Sequence, residues 1–224
     1  MAATQRSEST QLINVQDMVV VHRLFRRELI DLARLIRSVA PGDVERAAVI
    51  AGHARLVLAG LNLHHSGEDE LLWPKLFERA APSADLVERM QAQHAAIHQW
   101  LEQSTRLLTR WESEARPAVA DETADAFVEL HRLVVEHLDE EERLILPIVA
   151  RTFAQDEWAE LGQASVAKMS RSELPLMFGA VMEGAEPDER AEMMAVLPTP
   201  VRLLMRAWGL RHYRRYITRV REGR

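Results

Sequence analysis

Two eleven-residue stretches of the chain match one another, HHSGEDELLWP from His64 and HLDEEERLILP from His137. Each opens on a histidine, carries a glutamate four residues later (Glu68, Glu141) and closes on a proline ten residues after the histidine. Upstream, MVVVHRLFRREL around His22 aligns with MQAQHAAIHQWL around His94, so His22 precedes His64 by 42 residues and His94 precedes His137 by 43. On a helix, positions i and i+4 share a face about one turn apart. His64 with Glu68, His94 with His98, and His137 with Glu141 are therefore pairs that can each grip one ion or a bridged pair of ions. Carboxylates bridging two cations, with neutral imidazoles in the outer positions, are how helical bundles build di-iron and di-manganese centres. Oxygen and imidazole donors suit iron, manganese or zinc. The chain has no cysteine, which excludes an iron–sulfur cluster, disulfides and thiol catalysis.

These residues need long helices to position them. Apolar periodicity predicts helices from about Leu12 to Ser38, ending before Pro41-Gly42, and from about Val44 to Leu72, stopping at Trp73-Pro74. A third runs from about Ser83, read as its N-cap, to Trp111, and a fourth from about Asp121 to Thr152. Short connections make neighbours antiparallel, which predicts an all-α, up-down-up-down four-helix bundle. Counted from the intervening turns, His22 and His64 lie 19 and 23 residues away, Glu68 and His94 lie 11 and 15, and His98 and His137 lie 19 and 20. At about 1.5 Å per residue these mismatches are within about one helical turn, so all seven residues fall in one layer. His53 lies three turns from His64, about 16 Å along the helix, too far for the same ions. It reads as structural, as do His131 and His212.

The pattern resembles the hemerythrin family in its broad form, the HHE cation-binding domains. The residues that carry the resemblance are His22 on the first helix, His64 and Glu68 on the second, His94 and His98 on the third, and His137 and Glu141 on the fourth. It covers about residues 12 to 152, and it implies a non-heme di-iron centre that binds dioxygen or a related small molecule, nitric oxide or peroxide. By the same analogy two carboxylates, Glu68 and Glu141, bridge the irons. His94, His98 and His137 then serve one iron and His22 and His64 the other, which is left short of a ligand and open to the small molecule. Some relatives use the position beside the helix-two histidine, so His65 stays open as a ligand. One departure separates the chain from animal oxygen carriers, which place an aspartate five residues after the last histidine; here Glu141 stands at four and Glu142 at five. The bacterial branch of the family is the better match.

Leu24, Leu61, Leu71, Leu72, Ile97, Leu101, Val134, Leu138 and Ile145 recur at helical spacing as core, and the same residues would wall the centre from water. Asp69, Glu70, Asp139, Glu140 and Glu142 belong to charge runs and read as solvated helix faces. The bundle is expected over residues 12–155 and a helical extension over 156–224, broken at Leu174-Pro175, Glu186-Pro187 and Leu197-Pro198. The extension holds six of the nine methionines and reads as a cap on the bundle. From Pro198 onward there are eight arginines and one glutamate, a formal +7 in a chain of −6. With Leu203, Leu204, Trp208, Leu210, Tyr213, Tyr216, Ile217 and Val220 interleaved, that segment is expected to pack on the body as an amphipathic helix. A second copy is a candidate partner through it, and no module for reading specific nucleic acid is evident. The first residues lack the apolar core of a signal peptide and no run of 18 apolar residues occurs, which makes the cytoplasm the expected location. Both a binder or sensor and a di-iron enzyme acting on peroxide, nitric oxide or an organic substrate remain open.

Overall fold

A computed structural model of the chain describes residues 12–80 and 84–223; the expected cap Ser83 lies outside them. The described residues form eight helices and no strand. Helix α1 is Gln16–Arg37. Helix α2 runs Val44–Gly67, widens into a π turn at Glu68–Leu72 and continues through Trp73–Arg79. Helix α3 is Ala84–Glu114. Helix α4 repeats the design of α2, with Pro117–Glu140, a π turn at Glu141–Ile145 and Leu146–Thr152. Beyond these, α5 is Gln155–Lys168, α6 Leu174–Gly184, α7 Pro187–Ala195, and α8 joins Thr199–Leu204, a π turn Met205–Gly209 and Leu210–Glu222.

The four long helices pack in a ring, α1 on α2 and α4, and α3 on α2 and α4. Their sequence patterns dictate this. On α3 the buried residues Val87, Met90, His94, Ile97, Leu101, Ser104, Leu108 and Trp111 alternate by three and four, the seam spacing of packed helices. On α1 the seam is Met18, His22, Phe25, Leu29, Leu32 and Ile36. The turn between α1 and α2 uses Gly42 at φ +80°, and Asp43 caps α2 by accepting the Arg46 N–H at 2.9 Å.

Helix α2 does not stop at Trp73-Pro74. A proline inside an α-helix loses an N–H and its ring clashes with the carbonyl four residues back. In the π turn the Trp73 N–H reaches five residues back to the Glu68 carbonyl, and in α4 the Leu146 N–H reaches the Glu141 carbonyl. The widened turn admits Pro74 and Pro147 without ending either helix. Helix α4 likewise begins at Pro117, where the missing N–H costs nothing, rather than near Asp121.

Two apolar clusters fill the ring. One contains Leu24, Phe25, Leu61, Ile97, Phe127, Val134 and Leu138; the other contains Met18, Leu72, Trp73, Met90, Ile145 and Leu146. Along α2 His64 and Glu68, along α3 His94 and along α4 Glu141 fall between them. The extension is continuous with the first cluster through Met177, Ala180, Val181, Tyr213, Ile217 and Val220. Met182, Met194 and Met205 make a small cluster of their own. Only the second half of α8 packs as expected: Leu203, Leu204 and Trp208 are exposed. His53 is buried with Glu28, its Nε2 3.0 Å from that carboxylate and its Nδ1 3.0 Å from the Tyr216 hydroxyl, which ties α8 to α1 and α2. By length and composition Val44–Arg79 could cross a membrane, yet half of its most apolar window is buried inside the protein.

Candidate metal centre

Two groups of potential ligands lie side by side in the polar layer. His22, His64, Glu68 and Glu141 form one, and His65, Glu68, His94 and His137 the other, with ligand atoms in each group within 4.8 Å of one another. Glu68 belongs to both. Its Oε1 is 3.2 Å from His64 Nε2 and its Oε2 3.3 Å from His94 Nε2. Glu141 Oε2 sits 3.4 Å from His22 Nε2 and 3.7 Å from His137 Nε2. Both glutamates are fully buried.

Six of the seven residues named from the repeats are thus brought together, and His98 is not. Its side chain is 59% exposed and lies 3.5 Å from Glu102. The reason is helix phase. The seam of α3 passes through His94, Ile97 and Leu101, and a residue four beyond His94 turns about 40° off it. The aligned residue of the first repeat, Arg26, is equally off the seam and pairs with Asp139 and Glu142. His65 enters instead, buried and stacked on His94 at 4.1 Å between ring centroids. The repeat gave no hint of it, because its counterpart is Leu138.

A further set of groups aims the imidazoles. Glu142 Oε1 is 2.9 Å from His22 Nδ1, and Asp69 Oδ1 is 2.8 Å from His94 Nδ1, equivalent contacts that each join one half of the duplication to the other. Gln93 Oε1 is 3.0 Å from His137 Nδ1. An acceptor on Nδ1 fixes the proton there and leaves the Nε2 lone pair facing inward. Asp69 and Glu142, each five residues after the helix histidine, are therefore not merely solvated faces; Glu140 accepts from Gln93, and Asp139 from Arg26.

Burial dominates the protonation of the cluster. It pushes His64 down to about 4 and His137 down to about 3, and holds His65 well below the usual range, so these imidazoles stay neutral. At His94 burial is outweighed by the hydrogen bond to Asp69 and by the Glu68 carboxylate close by, which raise it to about 9. Burial also opposes charge on Glu68, but His64 and His94 hold it below the normal carboxylate range. Glu141 is pushed well above that range by burial and by the charges of Glu68 and Glu142. Two carboxylates this close do not both ionise unaided.

The donor set fits cations. His22, His64 and His65 Nε2 and all four carboxylate oxygens of Glu68 and Glu141 are buried with no hydrogen-bond partner. Buried polar atoms are ordinarily satisfied, and leaving so many unpaired is costly unless ions accept their lone pairs. Neutral imidazoles with hard oxygen donors suit iron, manganese or zinc. A cleft of about 430 Å³ between α2 and α3 reaches this layer, lined by buried His65 and His94 and by exposed Asp69, Asn62, Gln91 and His98. On the other side His64 abuts Phe25, at 5.3 Å between rings. Next to Phe25, Met177 covers Gly60 so closely that a Cβ there would fall 2.5 Å from its Cε.

The family model for the hemerythrin HHE cation binding domain matches residues 14–149. Searches of curated proteins and of solved structures give no match.

Proposed function

The chain belongs to the hemerythrin HHE cation-binding family, and from that premise we propose that it holds a non-heme di-iron centre for a small ligand, dioxygen, nitric oxide or peroxide. In this reading residues 12–155 are the up-down-up-down bundle and 156–224 a helical extension. His22, His64, Glu68 and Glu141 hold one iron; His65, Glu68, His94 and His137 hold the other, with Glu68 shared. Manganese or zinc could substitute. The observation that carries the proposal is the convergence of unpaired buried Nε2 and carboxylate oxygens from α1, α2 and α4, with His94 of α3 beside them, on two adjacent points. When bound, a di-iron pair supplies electrons to, and a binding position for, a small oxidant or diatomic molecule.

The protein's own residues set what reaches that position. Apolar clusters above and below the layer exclude water. Two imidazoles serve the His22/His64 side against three on the other, so the open position falls where Phe25 and Met177 form an apolar wall suited to small neutral ligands. Glu142 and Asp69 keep His22 and His94 in the ligating tautomer. A sensor, storage or detoxification role by binding follows. The second reading, a di-iron enzyme, draws on the α2/α3 cleft, whose Asn62, Gln91 and His98 offer the polar space and proton donors that turnover of a larger substrate needs.

Anaerobic iron loading followed by air tests the ligand set. Wild type and His98→Ala are expected to hold about two equivalents and to show near-ultraviolet absorption of an oxo-bridged diferric pair, while His65→Ala loses metal. Wild type with less than about one equivalent, or His65→Ala with full loading, overturns the assignment. Steady-state assays with peroxide and nitric oxide separate binding from turnover.

A further inference from the structure

The first half of α8 leaves a set of large apolar residues in solvent. Leu203 is 59% exposed, Leu204 58%, Trp208 49% and Val201 43%, and Val196 just before the helix 82%, whereas Met205, Tyr213, Ile217 and Val220 of α8 are buried. The spacing explains the division. Val201, Leu204, Trp208, Arg211 and Arg215 recur by three and four on the side of the helix away from Tyr213, Ile217 and Val220. Arg206, Arg211, Arg214 and Arg215 are exposed around the apolar residues. Among the described residues no carboxylate lies within ion-pair distance of any of these four, while Arg221 on the packed side is engaged by Glu28 and Glu183. The protein thus pairs the inner arginine with carboxylates and leaves the outer ones without any, Arg214 reaching only the Leu210 carbonyl at 3.3 Å.

We propose that this face of α8 docks the protein on an anionic lipid bilayer surface, with Leu204 and Trp208 entering the headgroup boundary and Arg211 and Arg215 meeting lipid phosphates. A helix lying in the membrane plane needs an apolar face flanked by arginine, and an indole is at home where one end is apolar and the other wet. Trp208 sits between Leu204 and the arginines, its ring stacked on His212 at 4.5 Å between centroids. Charge complementarity selects this occupant over the others. The segment from Pro198 carries +7 and the rest of the chain −13, so an anionic surface attracts α8 and repels the body, which orients the protein with α8 down. A two-fold dimer through the same face would set arginine against arginine. A nucleic acid would meet the phosphate-binding need of the arginines and leave Val196, Val201, Leu203 and Leu204 in water.

The test is flotation of the full chain with phosphatidylcholine vesicles, with and without phosphatidylserine. Binding is expected only to the anionic vesicles and is expected to weaken at about 0.5 M salt, where the Debye length shrinks to a few ångströms. Arg211 and Arg215 changed together to Gln should weaken partitioning about 25-fold, at about a factor of five per arginine. Leu204→Glu with Trp208→Glu should abolish it. All four positions are exposed, so an unchanged helical circular dichroism spectrum certifies the fold. No vesicle binding by wild type, or equal binding by all three proteins, overturns the proposal. So does sedimentation showing a wild-type dimer that Leu204→Glu/Trp208→Glu dissociates, or preferential capture by duplex nucleic acid.

Discussion

Glu28 offers a pH-dependent test of how the extension is locked to the bundle. It is 1% exposed. Its Oε1 accepts hydrogen bonds from Arg27 at 2.7 Å and Arg221 at 3.0 Å, and its Oε2 lies 3.0 Å from His53 Nε2. Burial alone would raise this carboxyl, but the hydrogen bond and charge of His53, followed by Arg27, win and bring it from 4.5 down to about 2. A folded value below the unfolded one means the ionised form stabilises the native state. That stabilisation is complete above about pH 4.5 and is lost as pH falls toward 2. The difference of about 2.5 units corresponds to about 3 kcal/mol, of which about 2 kcal/mol should be gone by pH 3. The assay is urea unfolding of chelator-stripped protein at pH 6 and pH 3, comparing wild type with Glu28→Gln. Other groups titrate in both proteins and cancel. At pH 6 the variant should be weaker by about 3 kcal/mol, since buried His53 and half-buried Arg27 and Arg221 lose the Glu28 carboxylate, and the gap should shrink by about 2 kcal/mol at pH 3. Parallel losses in the two proteins would show that Glu28 is not ionised by this network.

Two glycines give a contrast within the extension. At Gly179 an added Cβ would lie 2.3 Å from Tyr213 Cγ and 2.4 Å from its Cβ, atoms near the backbone that cannot swing aside, so Gly179→Ala should part α6 from α8 and cost about 2 kcal/mol or more in urea unfolding. Gly60→Ala meets only the flexible Met177 Cε and gains about 1 kcal/mol of helix propensity, so it should unfold within about 1 kcal/mol of wild type; equal effects would contradict this packing. Asp69→Asn and Glu142→Gln should each weaken metal affinity about 10- to 100-fold in chelator competition, by releasing the Nδ1 proton of His94 or His22. Unchanged affinity in both would remove the orienting role.

Much of the architecture was readable because the chain repeats itself. A histidine and a glutamate four apart, recurring in two halves, mark where helices must converge, and the apolar seams on α1 and α3 have the spacing that makes them do so. The end of α2 was harder to read. Proline normally terminates a helix, and the signal that it does not do so here is a backbone bond to the Glu68 or Glu141 carbonyl, which has no side-chain signature. The first half of α8 also departs from its pattern. Amphipathic spacing says that a face is apolar but not which body covers it, and Leu204 and Trp208 face away from the bundle.

The duplication also explains where reading by spacing goes astray at the centre. His98 satisfies the i+4 rule with His94, yet the rule states only that two side chains share a face. Whether that face points inward depends on the seam, and Ile97 and Leu101 claim it. Arg26, at the same place in the first repeat, carried the correction, since a residue that stays charged cannot be a ligand. His65 breaks the symmetry instead. Its partner position holds Leu138, which packs in the apolar cluster, so the two halves differ by one imidazole in the same layer. A perfect repeat would give two equivalent sites, each with two imidazoles. The substitution at one position makes the sites unequal, three donors of nitrogen against two. In the proposed di-iron reading, that inequality lets one ion be held firmly while the other keeps room for a ligand.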